Sequence, residues 1–473
     1  MRLNRVFLKS NWRALSATAL LLLLPAGSLA QTGQTSSGVS KAVEVRTGHK
    51  LNPAARPGGA ALPEGVALDD GLTEDEAVAV ALWNNPALQA DLATLGLARA
   101  DVVQAGLLTN PQLTMIFPFS FRVLEAVANW PIEAIWQRPR RVAAAKLELE
   151  RVEETLVVRA LDLARDVRLG FADYAAAQTR AGIAEDLVRE RRDIAAIVAA
   201  RLRAGDISEL EANAAVTEAR LTEERAARFA QDALLAKERL RGLLGFAGED
   251  VTLNLVVLPA TLAPPADRVI SVQASVAQPP DAFAAESEQL NELVKQALEA
   301  RPELKAGELA IEAAGARAKW ERSRIVNVTA IAKEYGRGTH GFEQGPGLLI
   351  DLPIFNRNQG NISRAEADIE RAAKQLIAAR QRVVTEVREA FTQLLLARQA
   401  HQLWRVRVLP PLEQDLRLAN AAYRSGDASY LFVLETARRY SDERLRETDY
   451  LLATARALAQ LERSVGRRLL ATR

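Results

Sequence analysis

The chain has 473 residues, 49% of them hydrophobic and 25% charged, and its formal net charge is +2. Acidic and basic residues nearly balance, which excludes the strongly basic composition of a nucleic-acid-binding protein. Cysteine is absent, so disulfide bonds, thiolate metal sites, a cysteine nucleophile and a lipid anchor on an N-terminal cysteine are excluded.

Residues 1–30 have the pattern of a secretory signal peptide. A basic segment precedes the apolar run Leu15–Leu24, and small residues follow at Ser28 and Ala30. This pattern predicts cleavage before Gln31 and export of the mature protein. The alternative is an uncleaved anchor, but the apolar run is shorter than the ~20 residues that a membrane helix needs.

Residues 31–71 are rich in Gly, Ser, Thr and Pro and predict an extended N-terminal leader. Residues 72–246 then predict a first structural unit. Its predicted elements, in chain order, are a helix over 77–85, a helix over 87–108, strands over about 112–137 and a long helical hairpin over 140–245.

Residues 247–285 interrupt the helical pattern and predict a connector, in which residues 251–258 form a short strand. A second unit over 286–467 follows, with a C-terminal tail over 468–473. Its predicted elements are helices over 290–300 and 306–323, strands over about 325–355 and a helical hairpin over 361–466.

The most informative stretch of the second unit is Leu348–Glu370. It begins with the side-chain alternation of a β-strand and continues as an amphipathic helix. The same change of period occurs near Trp130–Leu149 in the first unit. Two transitions from strand to long helix therefore occur in one chain.

The two units match each other at a displacement of roughly 216–222 residues. Pro86 corresponds to Pro302, and the turn Arg203–Ser208 corresponds to the turn Arg424–Ser429, both reading R-x-G-D-x-S. The repeated pattern indicates an internal duplication of a unit with the order helix, strand, strand, long helix, turn, helix.

Each unit contributes two strands whose alternation fits either a transmembrane β-strand or a soluble, half-buried hairpin. If the strands enter a membrane, four of them cannot close a barrel, because open edges leave backbone groups unpaired in lipid. Several chains would then share one barrel of eight or twelve strands. The long helices would extend it by ~90–100 Å, which describes a conduit.

The duplicated strand-to-helix pattern, the segment Pro346–Ala367, Leu107–Leu113 and the two R-x-G-D-x-S turns resemble the TolC-type outer membrane efflux proteins. The resemblance covers about Leu72–Gly466 and leans toward the CzcC-like heavy-metal branch. It implies a mainly α fold with a β-barrel part, namely a homotrimer with a twelve-stranded outer-membrane β-barrel continued by a periplasmic α-helical barrel.

The same resemblance implies the partners and the location. The partners are a periplasmic adaptor protein, an inner-membrane pump of the RND type, and the lipid of the outer membrane of a Gram-negative bacterium. Many relatives carry a lipidated cysteine at the mature N-terminus, and this chain has none. Anchoring is therefore expected to rest on the barrel alone.

By resemblance, the two helical turns are the periplasmic tips that meet the adaptor. The residues assigned to the tips are Arg203, Gly205, Asp206, Ser208, Arg424, Gly426, Asp427 and Ser429. Glu211 and Tyr423 fall where the family places gate residues, and Glu435 falls where it places an acid of the lumen. From the residues themselves, Gly205 is expected at a helix C-terminus and Asp206 and Asp427 as helix caps; solvated turns are the simpler alternative.

The sequence contains no pattern that predicts an enzyme, a cofactor or a metal site. His49, His340 and His401 are isolated and have no metal-ligand spacing. Phosphate-binding loops and nucleophile elbows are also absent. The rival functions are an exported coiled-coil adaptor or scaffold and a type I protein-secretion conduit, and the cargo stays open between metal ions, drugs and polypeptides.

Overall fold

The computed structural model describes residues 36–51, 62–67, 71–116, 125–246, 280–336, 342–425 and 427–469. Two compact units divide the chain after Ser37, and the second, Gly38–Arg473, contains both repeats. The predicted signal peptide, the predicted strand over 251–258 and Gly426 lie outside the described residues.

Helices and strands occur in the same order in the two repeats. The described elements are α1 (Ser36–Thr47), α2 (Glu74–Asn84), α3 (Pro86–Gly106), β1 (Gln112–Ile116), β2 (Glu125–Pro131), α4 (Ala134–Ala204), α5 (Glu209–Leu244), α6 (Pro280–Ala300), α7 (Pro302–Ser323), β3 (Val328–Gly336), β4 (Phe342–Ile350), α8 (Gln359–Leu403), α9 (Leu409–Ser425) and α10 (Tyr430–Val465). The predicted fold class, mainly α with a smaller β part, is confirmed.

The four strands form one antiparallel sheet in the order β1-β2-β3-β4. The hairpin of each repeat contributes two neighbouring strands, and β2 pairs with β3 across the repeats, for example Trp130 with Ala330. Strands β1 and β4 each have only one partner strand among the described residues. The sheet therefore ends in two open edges, one from each repeat.

The register sorts the side chains of the sheet onto two chemically different faces. One face carries mainly apolar residues, namely Leu113, Met115, Ala128, Trp130, Ala330, Ala332, Leu348 and Ile350. The other carries more polar residues, including Gln112, Thr114, Asn129, Thr329 and Lys333. Trp130 and Leu348 are 57% and 65% exposed, so nothing in this chain covers the apolar face around them.

The first repeat builds the larger core, around Phe171, Leu240, Leu244 and Phe246. Here the prediction of an extended leader over residues 31–71 is wrong for Ser36–Thr47, which form α1. Val39 and Val43 of this helix are buried in the core of the first repeat. Burial of one apolar side of the segment stabilises a helix that its Ser- and Gly-containing sequence does not predict.

Several predicted boundaries differ from the structure. The first pair of strands ends at Pro131 and α4 begins at Ala134, so the final residues of the predicted strand region are helical. In the second repeat β4 ends at Ile350, and α6 begins at Pro280 inside the predicted connector. Alternation over a few Ala and Ile residues fits the first turn of a helix as well as a strand end.

The long helix of the second repeat is interrupted by a π-helical turn at Trp404–Val408, where the Leu409 N–H donates to the Trp404 carbonyl. Phe171 corresponds to Phe391 at a displacement of 220 residues, whereas Ser208 corresponds to Ser429 at 221. The second repeat therefore holds one extra residue between these positions. A π-turn accommodates such an insertion by widening one turn of the helix.

Within the part of the chain that the structure describes, no helix is both long and apolar enough to cross a lipid bilayer. Among the same residues, no group of His, Asp and Glu side chains is arranged to hold a metal ion.

Candidate functional site

The two helical-hairpin turns have closely related backbone geometry. Gly205 ends α4 with φ +81°, and the Asp206 N–H donates to the Arg201 carbonyl at 3.0 Å. In the second repeat the Asp427 N–H donates to the Ala422 carbonyl at 2.9 Å. Both bonds span five residues, as in a Schellman motif that closes a helix C-terminus.

The residues that cap the following helices are the serines of the motif. Ser208 Oγ accepts from the Glu211 N–H at 3.2 Å, and Ser429 Oγ accepts from the Phe432 N–H at 3.4 Å. The prediction that Asp206 and Asp427 are the caps is therefore wrong. Both aspartates lie one turn position too early, and Asp427 instead accepts from Ser425 Oγ at 2.7 Å.

Each tip presents charged and apolar side chains to solvent. Arg203, Asp206, Arg424 and Asp427 are exposed. The first turns of α5 and α10 add exposed apolar residues, which are Leu210, Leu431 and Phe432. A solvated turn needs no such apolar residues, so the tips have the mixed surface of a protein-binding site.

Behind the tips, a small apolar cluster joins the two hairpins. Its buried members, from α4, α5 and α10, are Val198, Ala212, Ala215, Tyr430 and Leu434. Tyr423 of α9 packs on its margin, with its ring centroid 6.0 Å from that of Tyr430. Burial raises the pKa of Tyr430, so its hydroxyl stays protonated.

Tyr423 is the predicted gate residue that the structure places in a defined environment. The Arg201 guanidinium lies 4.6 Å from the centre of its ring, a cation–π distance. Its hydroxyl oxygen is buried and has no hydrogen-bond partner among the described residues. Glu211 begins α5 nearby and is half-buried, and its carboxylate forms no ion pair within the described chain.

Glu435, predicted as an acid of the lumen, lies one turn along α10 from Leu431. Its carboxylate pairs with Arg439 at 3.1 Å, and both side chains are more than half exposed. This is an ordinary pair at i and i+4 on a solvated helix face. The structure thus brings Tyr423 to the tip cluster and leaves Glu435 on a helix surface.

Two features of the tips were not predicted from the sequence. The first is Tyr430, although Tyr430, Val433, Leu434 and Ala437 recur at helical spacing and could have indicated a buried stripe. The second is an ion pair between Glu218 and Arg438, which are 220 residues apart. No local pattern signals this pair, because it depends on how two hairpins pack side by side.

Further ion pairs connect α4 to α10 along their length. Arg168 pairs with Glu462, Arg180 pairs with Asp449, and Arg456 lies 2.7 Å from Asp173. Small apolar side chains, including Ala172, Ala176 and Leu452, pack between these pairs. The two hairpins of one chain are therefore held together from the region near the sheet to the tips.

Comparison with known proteins identifies this architecture. A family model described as outer membrane efflux protein matches residues 293–467. The cobalt-zinc-cadmium resistance protein CzcC of Cupriavidus metallidurans is 27% identical over 401 residues, which are 83% of this chain and 90% of that protein.

Solved structures share the fold along most of the chain. CusC, solved in work on its folding and transmembrane channel formation, superposes with a TM-score of 0.67 and 19% identity, covering 88% of this chain and 98% of CusC. The outer membrane protein VceC of Vibrio cholerae gives a TM-score of 0.65 and 17% identity, covering 84% of this chain and 97% of VceC.

The family model falls on the second of the two repeats, and CzcC aligns across both. The resemblance inferred from the strand-to-helix transitions and the paired turns is thereby confirmed. The chain belongs to the outer membrane efflux protein family.

Proposed function

We propose that this protein is the outer membrane channel of a tripartite efflux system, through which an inner-membrane pump expels its substrate. The observation that carries the proposal is the four-stranded sheet, which has two open edges and an apolar face that the chain leaves uncovered. The protein is a conduit and not an enzyme, as are its relatives in the family.

The sheet is incomplete as a membrane structure on its own. Strand edges exposed to lipid leave backbone N–H and C=O groups unpaired, at several kcal/mol each. Pairing β4 of one copy with β1 of the next removes every edge, and three copies supply twelve strands. The apolar face then lies against lipid, and the face with Gln112, Asn129 and Lys333 lines the pore.

The helices continue the wall of the pore away from the membrane. Helix α4 begins three residues after β2, and α8 follows β4 after a short irregular segment. With 71 residues, α4 is about 107 Å long at 1.5 Å per residue. This part lies in the periplasm in our proposal, and the hairpin tips form its far end.

At that end, the tips bind a periplasmic adaptor that connects the channel to a pump of the RND type. Exposed Arg203 and Arg424 beside exposed Leu210 and Leu431 support this role. Tyr423 and Glu211 narrow the entrance in the same proposal, and Glu435 contributes charge to the lumen. Residues 1–30 direct export and are removed, and the mature chain carries no lipid.

The cargo includes divalent metal ions. The support is the likeness to CzcC, whose name describes resistance to cobalt, zinc and cadmium. The described residues contain no cluster that would hold a metal, which suits a passive conduit, because ions that must leave quickly are not bound tightly along the way.

Engineered cysteines test the shared barrel, because the natural chain has none. Double variants combine Thr114→Cys or Gln112→Cys on β1 with Gly345→Cys or Gly347→Cys on β4. Oxidation in the outer membrane is expected to yield a covalent trimer for at least one pair. The single-cysteine variants serve as controls and give at most a dimer. A double variant that stays monomeric in a soluble periplasmic extract would overturn the proposal.

Charge reversal tests the tips. The double variant Arg203→Glu, Arg424→Glu is expected to lose export while its amount in the outer membrane stays unchanged. Arg239→Glu, an exposed residue near the other end of α5, is the matched control and should export normally. Normal export by the tip variant would refute the docking role. Cobalt, zinc and cadmium tolerance of a strain lacking the gene, with and without the chain, tests the cargo.

A further inference from the structure

A small cavity lies where the C-terminal end of α10 meets α1 and α4. Its volume is about 20 Å³, enough for one water molecule or one monatomic ion. Six arginines contribute to its wall, namely Arg46, Arg165, Arg168, Arg463, Arg467 and Arg468. The cavity is far along the chain from the hairpin tips and from the sheet, and the proposed transport function does not use it.

Arg463 provides the first argument for a ligand. Its side chain is 8% exposed, and two of its nitrogens bind Asp162 at 2.7 Å and Glu303 at 2.6 Å. Its third nitrogen, Nη1, is buried and has no acceptor among the described residues. A buried charged donor without an acceptor costs on the order of 1–3 kcal/mol or more, so this atom is poised to bind one.

The balance of charge around the cavity provides the second argument. Arg46 donates to the Ala42 and Ala300 carbonyls and Arg467 donates to the Gln296 amide. Neither forms an ion pair with a carboxylate in the described chain. Two guanidinium groups of the wall are thus not neutralised by the protein.

The remaining arginines are paired, but one of their partners is a weak acid here. Arg168 binds Glu462, which is buried, and lies 3.6 Å from Glu74. Burial raises the pKa of Glu74 to about 7, against the opposing charge of Arg168. At neutral pH Glu74 is therefore partly protonated, which leaves the surroundings of the cavity more positive.

We propose that this cavity binds a small monovalent anion, chloride in the natural environment, with Nη1 of Arg463 as its principal donor. A water molecule also fits the space, but it leaves the excess of positive charge uncompensated. An anion here links α1, α4 and the end of α10. Its site is thus a structural one at the junction of the two repeats.

Bromide replaces chloride in the direct test. Crystals of the full detergent-solubilised protein grown in sodium bromide are expected to show an anomalous peak in the cavity, roughly hydrogen-bond distance from Arg463 Nη1. Bromide scatters anomalously and water does not, so a site without such a peak holds water only. That result would overturn the proposal.

Thermal unfolding gives an independent readout. At constant ionic strength, replacing gluconate by chloride is expected to raise the unfolding midpoint by about 2–4 °C and to saturate. Ala459→Val fills the cavity from its wall and should lose this increment. Ala457→Val adds the same bulk at another buried position of α10 that does not line the cavity, and it should keep the increment.

The two measurements decide the matter together. An increment of equal size in the two variants, or no increment in the natural protein, contradicts the proposal. If Ala459→Val fails to fold, the bromide peak in the natural protein still decides it.

Discussion

Glu218 on α5 and Arg438 on α10 form the ion pair that joins the two hairpins of the chain near their tips. Arg438 Nε lies 2.9 Å from Glu218 Oε2, and a second guanidinium nitrogen donates to the same oxygen. The Glu218 side chain is only 10% exposed, whereas that of Arg438 is 46% exposed. Loss of the arginine therefore leaves a buried carboxylate without its partner.

We expect Glu218→Gln and Arg438→Gln each to lower the free energy of unfolding by about 1–3 kcal/mol, between the values for exposed and buried pairs. The double variant should lose less than the sum of the two, because the second change removes a charge that has already lost its partner. Chemical unfolding of the four proteins measures this coupling. Additive losses would show that the pair contributes nothing to stability.

Tyr423 allows its hydroxyl and its ring to be tested separately. Tyr423→Phe removes a buried hydroxyl that has no partner among the described residues, so we expect stability to stay equal or to rise by up to about 1 kcal/mol. Tyr423→Leu also removes the ring that Arg201 lies over and should cost about 0.5–2 kcal/mol. A large loss in the phenylalanine variant would mean that the hydroxyl has a partner in the assembled protein.

Two glycines with similar backbone angles should respond differently to alanine. Gly205 at the first tip has φ +81° and free space where a Cβ would lie, so Gly205→Ala should cost only the strain of a left-handed residue, about 1–2 kcal/mol. Gly245 has φ +85°, and its Cβ would collide with the backbone carbonyl of Asn84. Gly245→Ala should therefore cost about 3 kcal/mol or more. Equal thermal midpoints for the two variants would contradict this packing.

Glu303 should make stability depend on acidic pH. Burial alone raises its pKa, but hydrogen bonds from Arg301 and the charge of Arg463 outweigh burial and lower the pKa from 4.5 to about 2. The stabilisation is present above the unfolded pKa and is lost as the pH falls from about 4.5 to 2. It amounts to about 2–3 kcal/mol.

In urea titrations at several pH values, Glu303→Gln should be less stable than the natural protein at pH 7 and nearly equal to it at pH 2. Glu299→Gln, at an exposed position of α6, controls for the loss of one carboxyl group and should follow the natural protein at every pH. A constant difference between Glu303→Gln and the natural protein across this range would disprove the assigned pKa.

The sequence predicted much of the fold because local patterns are strong in this chain. The long helices follow from sustained apolar periodicity, the hairpins from alternation, and both turns from R-x-G-D-x-S with a glycine at the helix end. The caps were assigned wrongly, since aspartate and serine are both good caps and only backbone geometry decides between Asp206 and Ser208.

Other features depended on tertiary structure. Helix α1 is stabilised by burial of Val39 and Val43 in a core built largely by later residues. The partners of Arg463 come from two other helices, α4 and α7. The ring of Tyr423 meets Arg201 from the opposite hairpin. Such contacts join residues far apart in sequence, and no pattern within a window of the chain encodes them.

The widened turn at Trp404–Val408 makes the two halves of the duplication mechanically unequal. Pro410 and Pro411 follow it directly, and neither has an N–H to give to the helix. The helix of the second repeat is thus weakened midway, while the corresponding stretch of α4 is continuous. In a ring of three chains the six hairpins would bend as alternating stiff and compliant members, so a fixed frame and a deformable throat would arise from one ancestral unit by the gain of a single residue.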